Sequence, residues 1–195
     1  MRIFVAIDLE DSIREKIVRF LDGVREFVPE ARWVRPESLH VTLKFIGEQR
    51  EEQVAAIKET LRGVSCDSME IRFRGYGFFP TATAPRVFWI GIQAGEALEV
   101  LAHNVDIALG ALKIPREERP FSPHLTLARA AGGSGAPRWR KGDRANSTFS
   151  LLQKRLAALR EIDFGTMTAR EFFLYQSQLS PSGSKYTKLQ SFPLH

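Results

Sequence analysis

Alternating and helical patterns of apolar residues succeed one another along the chain and predict both strands and helices. In the opening RIFVAIDL, residues 2–9, both the odd-numbered and the even-numbered positions carry apolar residues, which is typical of a strand covered on both faces. Asp11 or Ser12 is placed to cap a following helix, which Pro29 ends. The apolar residues of this helix recur at helical spacing: Ile13, Ile17, Leu21, Val24 and Val28.

The rest of the chain continues this succession of strands and helices. Further strands are predicted at residues 33–47, 69–79, 86–92, 166–177 and 184–192. Further helices are predicted around residues 54–64, 96–112 and 150–160. Because several strands are joined as hairpins or meanders, the pattern favours an α+β fold with mainly antiparallel sheets.

Length and composition indicate a folded intracellular protein. Of 195 residues, 44% are hydrophobic and one, Cys66, is a cysteine, which excludes a disulfide framework and a Cys-rich zinc site. No apolar run approaches the roughly 20 residues that span a bilayer, and the opening lacks a signal-peptide pattern. We expect a single cytoplasmic domain over residues 1–195, without a membrane segment.

The charge balance weakly favours an anionic partner. Lys and Arg number 28 against 23 Asp and Glu, which gives a net charge of +5. Charge of this sign suits a polyanionic or phosphorylated partner. It is concentrated in RWRKGDR, residues 138–144, just after a Gly-rich stretch at 130–137 that is predicted to be a flexible surface loop.

Two short motifs repeat the same polar positions inside apolar runs. ESLHVTLKF, residues 37–45, and FSPHLTLAR, residues 121–129, each place a threonine two residues after a histidine. Side chains at i and i+2 share one face of a strand, so His40 projects with Thr42 and His124 with Thr126. One such pair would indicate only a half-buried strand. Two copies predict that the four groups converge on one cleft, since packing gives no reason to repeat the polar positions.

Two imidazoles and two hydroxyls in one cleft suit chemistry at a phosphoryl group. The ordinary imidazole pKa of about 6.5 lets one ring be neutral and the other protonated near neutral pH. One histidine would then deprotonate the attacking water or hydroxyl and the other would protonate the departing oxygen. The threonine hydroxyls would donate hydrogen bonds to the developing charge on the phosphoryl oxygens.

HVTL and HLTL resemble the paired H-x-T-x motifs of the two-histidine phosphoesterase superfamily. RWVRPESLHVTLKFIGE and FSPHLTLAR, with the opening RIFVAIDL and the ending SKYTKLQSFPL, resemble its RNA 2′,3′-cyclic phosphodiesterase branch, also called 2′-5′ RNA ligase. The resemblance runs over residues 2–194. It implies a bilobal α+β fold, in which two antiparallel sheets flank a central cleft with helices on the outer faces.

The resemblance also implies a reaction and a partner. It implies hydrolysis of a terminal 2′,3′-cyclic phosphate of RNA to a 2′-phosphomonoester, without a metal ion or other cofactor. By the same resemblance His40 is the proton donor and His124 the proton acceptor, an order that the residues themselves leave open. We expect a monomer that binds RNA ending in a 2′,3′-cyclic phosphate.

Four further residues are candidates for substrate binding. Arg129 matches the family motif, although strict strand parity places it opposite His124 unless the strand bulges or ends there. Lys44 has the parity of His40 and is predicted to contact substrate. Phe45 and Tyr186 match family positions, where an aromatic residue is either core or a base-stacking surface. The basic stretch at 138–144 is a candidate contact for the RNA backbone.

Three other functions are open to the same residues. A metal site is disfavoured because the four histidines lack metal-ligand spacing and no carboxylate shares the faces of the two motifs. A non-catalytic RNA-binding module would use the basic charge and the aromatic residues but leaves the second His–Thr pair unexplained. Ligation or 2′-5′ phosphodiester cleavage at the same site differs only in whether water or a ribose hydroxyl enters.

Overall fold

The computed structural model describes residues 1–131, 146–180 and 183–195. The basic stretch at 138–144 and all but the first two residues of the Gly-rich stretch lie outside the described residues. Along the described part the elements are β1 (Arg2–Asp8), α1 (Asp11–Val24), β2 (Arg32–Trp33), β3 (His40–Glu48), α2 (Glu51–Arg62), β4 (Met69–Phe79), β5 (Val87–Gln93), α3 (Gly95–Gly110), β6 (His124–Arg129), α4 (Ser150–Ala157), β7 (Asp163–Ala169), β8 (Glu171–Ser180) and β9 (Gly183–Pro193). Short 3-10 turns lie at Arg25–Phe27 and Pro36–Ser38.

The described strands form two antiparallel sheets. Sheet A has the order β3-β1-β8-β9, and sheet B has the order β2-β6-β5-β4-β7. The strands that begin at the two motif histidines, β3 in sheet A and β6 in sheet B, contact each other. Two antiparallel sheets with helices confirm the predicted α+β class, and the contact between β3 and β6 brings the two motifs into one region.

Strand β1 lies inside sheet A and is covered on both faces, as its sequence predicts. Ile3, Val5 and Ile7 belong to the main hydrophobic core. Phe4 and Ala6, on the other parity, form a smaller buried cluster with Phe173 and Tyr175, with Tyr186 packed against it. The second cluster lies on the face of sheet A that carries His40, since the Phe4 and His40 rings are 4.8 Å apart between centroids.

The four α-helices of the described ranges contribute buried residues to the main core. Helix α1 contacts β7, and the rings of Phe20 and Phe164 meet edge to face there. Helix α4 buries Leu152 and Leu156, while α2 and α3 contact each other and reach β9 and β3 respectively. In the described ranges, no helix has the length and apolar character to cross a membrane.

The first helix begins and ends earlier than its pattern predicts. Its N-cap is Glu10, with no side-chain cap, so the prediction that Asp11 or Ser12 caps it is wrong. The α-helix stops at Val24, and the turn Arg25–Phe27 carries the chain on to Val28, which is still buried. A buried apolar residue at helical spacing can therefore belong to a tighter turn that follows the helix.

Candidate active site

The two motif histidines occupy equivalent positions at the starts of β3 and β6. Nδ1 of His40 lies 2.7 Å from the carbonyl oxygen of Ser38, and Nδ1 of His124 lies 2.8 Å from that of Ser122. A carbonyl oxygen only accepts, so each Nδ1 donates and carries a hydrogen. The same nitrogen, Nε2, is therefore left on both rings to exchange a proton with a substrate.

Burial keeps both imidazoles neutral near neutral pH. Burial is the main cause that lowers the pKa of His40 to about 4, and the charges of Arg129 and His124 lower it further. The hydrogen bond to Ser38 and the charge of Asp8 act in the opposite direction and raise it. Burial also lowers the pKa of His124, which the charge of Arg129 lowers further. Arg129 therefore lies within electrostatic range of both rings, and the rings lie within range of each other.

A one-residue bulge follows each His–Thr pair. In the pairing of β1 with β3, Val5 is opposite Lys44 and Ala6 is opposite Thr42, so Leu43 is the extra residue. In the pairing of β5 with β6 the corresponding extra residue is Leu127. An extra residue reverses which face the following side chains occupy. The fifth residue after each histidine therefore returns to the histidine's face.

The bulges bring Phe45 and Arg129 to the faces that carry the histidines. Phe45 is 63% exposed and its ring lies 6.0 Å from that of Phe4, beside His40. Burial lowers the pKa of Arg129, while the charge of the nearby Tyr186 raises it. Arg129 of sheet B therefore lies within electrostatic range of Tyr186 in sheet A. The ring of Tyr186 lies 5.2 Å from that of His40. Three of the four predicted substrate-binding residues thus surround the histidines.

Lys44 is the exception, and its prediction as a substrate-binding residue is wrong. The bulge at Leu43 turns its side chain away from the face of His40. Only 4% of the Lys44 side chain is exposed, and its Nζ lies 2.5 Å from a carboxylate oxygen of Asp106 in α3. Nζ also donates to the carbonyl oxygen of Pro115 at 2.8 Å. Lys44 therefore joins β3 to α3 behind the site.

Asp8 lies beside His40 and is not among the site residues predicted from the sequence. It is directly opposite His40 in the pairing of β1 with β3. Although burial raises the pKa of its carboxyl group, a hydrogen bond from Lys188 and the charge of Arg14 hold that pKa below its usual range. Arg14 contacts Asp8 at 2.5 Å and also donates to the carbonyl oxygen of Pro36, in the turn that ends at Ser38. This network therefore supports the carbonyl group that orients His40.

A pair of aromatic residues, Phe79 and Trp89, lies beside His124. The Phe79 and Trp89 rings are 5.0 Å apart, and their centroids lie 5.0 Å and 6.4 Å from that of His124. From the sequence, both residues are predicted only as parts of a hairpin. The sequence does contain a signal for Asp8, because a charged residue stands at the end of an apolar strand and on the same face as Phe4 and Ala6. It contains no comparable signal that would place Phe79 or Trp89 in the site.

The assembled groups can hold and protonate a phosphoryl group. On each ring Nε2 is the nitrogen that is not bound to the carbonyl oxygen, and the cation of Arg129 lies within electrostatic range of both rings. Thr42 and Thr126 are half-buried on the faces of the two histidines, between buried aliphatic neighbours. Within the described ranges, no group of three or more His, Cys, Asp or Glu is arranged to hold a metal ion.

Comparison with known sequences gives a family and full-length relatives. A family model described as LigT like phosphoesterase matches residues 7–89, which include the first motif and end before the second. A protein of Archaeoglobus fulgidus named RNA 2′,3′-cyclic phosphodiesterase is 37% identical over 192 residues, covering 98% of this chain and 99% of the relative. A protein of the same name from Methanothermobacter thermautotrophicus is 32% identical over 198 residues, covering 100% and 99%.

Solved structures show the same fold over nearly the whole chain. A protein of Thermus thermophilus superposes with a TM-score of 0.74 at 30% sequence identity, covering 99% of this chain and 97% of the other. E. coli LigT complexed with 3′-AMP superposes with a TM-score of 0.76 at 26% identity, with the same coverage of 99% and 97%. Both comparisons extend beyond residue 89 and include the second motif.

The Lys44–Asp106 pair predicts a specific pattern of stability. Lys44→Met should lower the free energy of unfolding by about 1.5–3 kcal/mol, because the buried Asp106 carboxylate loses its lysine partner and keeps only Arg116 Nε at 3.0 Å and the N–H of Glu117. The double variant Lys44→Met/Asp106→Leu should lose much less than the two single variants together. Urea unfolding at pH 7 measures all three, with Arg62→Met, which breaks an exposed pair with Glu59, as the control of small effect. Strictly additive losses would show that the pair is not coupled.

Proposed function

The chain belongs to the LigT-like phosphoesterase family, and we propose that it hydrolyses the terminal 2′,3′-cyclic phosphate of RNA to a 2′-phosphomonoester. Two relatives that match it over their full lengths are named for RNA 2′,3′-cyclic phosphodiesterase activity. The observation that carries the proposal is the matched pair of imidazoles. Each is fixed through Nδ1 to a carbonyl oxygen two residues earlier, and the two rings lie within electrostatic range of each other.

The proposed reaction is an in-line displacement at phosphorus. Water attacks the phosphorus atom, and one imidazole takes a proton from that water. The bond from phosphorus to the 3′ oxygen breaks, and the other imidazole gives that oxygen a proton. The product carries a 2′-phosphate and a free 3′-hydroxyl, and the pair of histidines ends with its protons exchanged between the two rings.

We assign His40 as the proton donor and His124 as the proton acceptor. The two histidines differ in the residue directly opposite them in the neighbouring strand: Asp8 lies opposite His40, and Gly91 lies opposite His124. The carboxylate of Asp8 favours the protonated form of His40. A glycine offers His124 no such charge, which suits a base that must begin neutral.

The hydroxyl and guanidinium groups would stabilise the charge on the phosphoryl oxygens. Thr42 and Thr126 each share a face with one histidine and would donate hydrogen bonds to non-bridging oxygens. Arg129, within electrostatic range of both rings, would add a cation with several donors. Phe45 and Tyr186 would bind the rest of the RNA, and the two sheets would act as one domain, because the site takes residues from both.

The negative charge of the substrate would make it easier to protonate an imidazole. In the free protein burial and Arg129 disfavour the imidazolium form of both rings. A cyclic phosphodiester carries one negative charge, and its presence beside Nε2 raises the imidazole pKa while partly neutralising Arg129. Binding of the anion and uptake of the catalytic proton are therefore linked.

Removing either imidazole should abolish turnover while RNA binding persists. His40→Ala and His124→Ala should each lower kcat by about 10²- to 10⁴-fold, the usual contribution of a positioned acid or base. The assay is hydrolysis of RNA ending in a 2′,3′-cyclic phosphate, with mapping of the phosphate to the 2′ or 3′ oxygen of the product. His103→Ala, an exposed histidine in α3, is the matched control and should match the wild-type protein.

Two results would contradict this prediction. Hydrolysis at the normal rate in both histidine variants would remove the paired-imidazole mechanism and favour the RNA-binding module. Release of a 3′-phosphate in place of a 2′-phosphate would show that the other bridging oxygen is the one protonated.

The lowered imidazole pKa values predict an acid-shifted profile for kcat/KM. This ratio reports the free protein, where His40 titrates near pH 4 and His124 below its ordinary 6.5. Above about pH 6.5 neither ring is protonated, so kcat/KM should fall nearly tenfold per pH unit. The profile of kcat should peak at higher pH, because the bound anion raises both pKa values.

The variant Asp8→Asn tests whether the pKa of His40, the proposed donor, contributes to this pH profile. Loss of the carboxylate removes an interaction that raises the pKa of His40, so the acid limb of kcat/KM should move to lower pH. The optimum should move with it, and kcat should fall because the Arg14 contact is also weakened. A wild-type profile that is flat between about pH 5 and 8 would count against the paired-imidazole scheme, and an unmoved acid limb in Asp8→Asn would count against the effect of Asp8 on His40, on which the assignment of the donor is based.

A further inference from the structure

A second arginine, Arg32, lies beside Arg129 at the edge of sheet B. Arg32 is directly opposite Arg129 in the pairing of β2 with β6. Directly opposite residues of two antiparallel strands project to the same face, with their Cα atoms about 4.5–5.5 Å apart. Since the bulge at Leu127 places Arg129 on the face of His124, Arg32 lies on that face as well.

The residue that follows Arg32 supports this orientation. Trp33 pairs with the buried Ala128, and its ring packs edge to face against the buried Phe88. Trp33 therefore projects towards the core. Successive residues of a strand alternate in direction, so Arg32 projects to the opposite face, and it is exposed there.

Two guanidinium groups at directly opposite positions favour an anionic ligand. Burial and the charge of Arg32 both lower the pKa of Arg129, so the two side chains lie within electrostatic range of each other. Like charges at directly opposite positions of two strands are unfavourable. A phosphate oxygen beside either side chain offsets this repulsion, and a guanidinium group matches the geometry of a phosphate with its paired N–H donors.

The cations on the His40 side of the site are engaged with a carboxylate. Arg14 contacts one oxygen of Asp8 at 2.5 Å, and Lys188 contacts the other oxygen at 2.5 Å. Either cation would have to leave Asp8 in order to hold a phosphate, and its departure would free a negative charge beside His40. The His40 side is therefore a poor place for a second phosphate.

We propose that Arg32 binds the phosphodiester that joins the terminal nucleotide of the RNA to the nucleotide before it. This inference rests on the proposed function, in which Arg129 stabilises the cyclic phosphate. The preceding phosphate is one ribose away along the strand, and Arg32 is the direct neighbour of Arg129 across β2 and β6. Because this contact is to the backbone and not to a base, it would favour an RNA strand over a mononucleotide without regard to sequence.

The test compares two dinucleotides that differ in the charge of their internal linkage. Both end in a 2′,3′-cyclic phosphate and carry a 2′-O-methyl group on the first ribose, and one has a phosphodiester where the other has an uncharged methylphosphonate. The wild-type protein should have a higher kcat/KM for the phosphodiester by about 2- to 10-fold, the range from an exposed ion pair to a hydrogen bond with a charged group. Arg32→Gln should remove most of this preference by raising KM for the phosphodiester.

Two further variants separate phosphate binding from general damage. Arg32→Lys keeps the cation and should keep part of the preference for the phosphodiester. Arg19→Gln makes the same substitution at an exposed arginine of α1 and should leave the ratio between the two dinucleotides unchanged. The proposal is overturned if Arg32→Gln also leaves this ratio at the wild-type value, even where kcat/KM falls for both dinucleotides, or if the wild-type protein does not distinguish them.

A binding measurement keeps this inference distinct from the proposed function. Calorimetry with the corresponding dinucleotides that end in a 2′-phosphate measures affinity without turnover. For the phosphodiester, the slope of log Kd against log salt concentration should be smaller in Arg32→Gln than in the wild-type protein by about 0.7, the contribution of one phosphate contact on a single strand. If this change appears but the wild-type protein hydrolyses neither cyclic phosphate, the proposed function is wrong and the Arg32 contact stands. If the slope is the same in both proteins, the Arg32 contact is wrong, whatever the rate of hydrolysis.

Discussion

The site depends on one extra residue in each of two strand pairings. Leu43 in β3 and Leu127 in β6 follow directly after a His–Thr pair, and neither has a partner in the adjacent strand. Regular alternation would have placed Lys44 on the catalytic face and Arg129 behind it. The two bulges reverse this order, so that Lys44 enters a buried ion pair with α3 and Arg129 joins the histidines. The cation of Arg129 thus lies on the face of the histidines only because the strand is irregular at that point.

The two halves of the site share a backbone plan and differ in the side chains placed on it. Each half supplies a histidine bonded through Nδ1, a threonine two residues on, and a bulge before the fifth residue. At equivalent positions one half has Asp8 opposite its histidine and the other has Gly91. Repetition therefore provides the paired imidazoles, and the difference between Asp8 and Gly91 is the basis for the proposed direction of proton transfer.

Much of the fold and the central groups of the site follow from local sequence patterns, and the errors have identifiable physical causes. Alternation predicts β1 and the face shared by His40 and Thr42, because both are properties of a single regular strand. Lys44 was misplaced because a bulge depends on how two strands pair, which one strand's sequence does not reveal. The positions of Asp8 and Trp89 next to the two motifs were missed because they depend on which residues lie opposite them in the neighbouring strands. Contacts between strands distant in sequence are not encoded in any local window.

In the proposed mechanism, protonation of an imidazole would depend on the negative charge of the bound substrate. Burial and Arg129 both act against a charged imidazole, so the free protein holds two neutral rings beside a cation. Such a site favours an anion over a neutral ligand, and an anion that enters reverses the conditions that kept the rings neutral. A ligand without negative charge would not raise the proton affinity of either ring. Under the proposed function, selection for a phosphodiester and formation of the catalytic acid would therefore be two consequences of the same buried arrangement of charge.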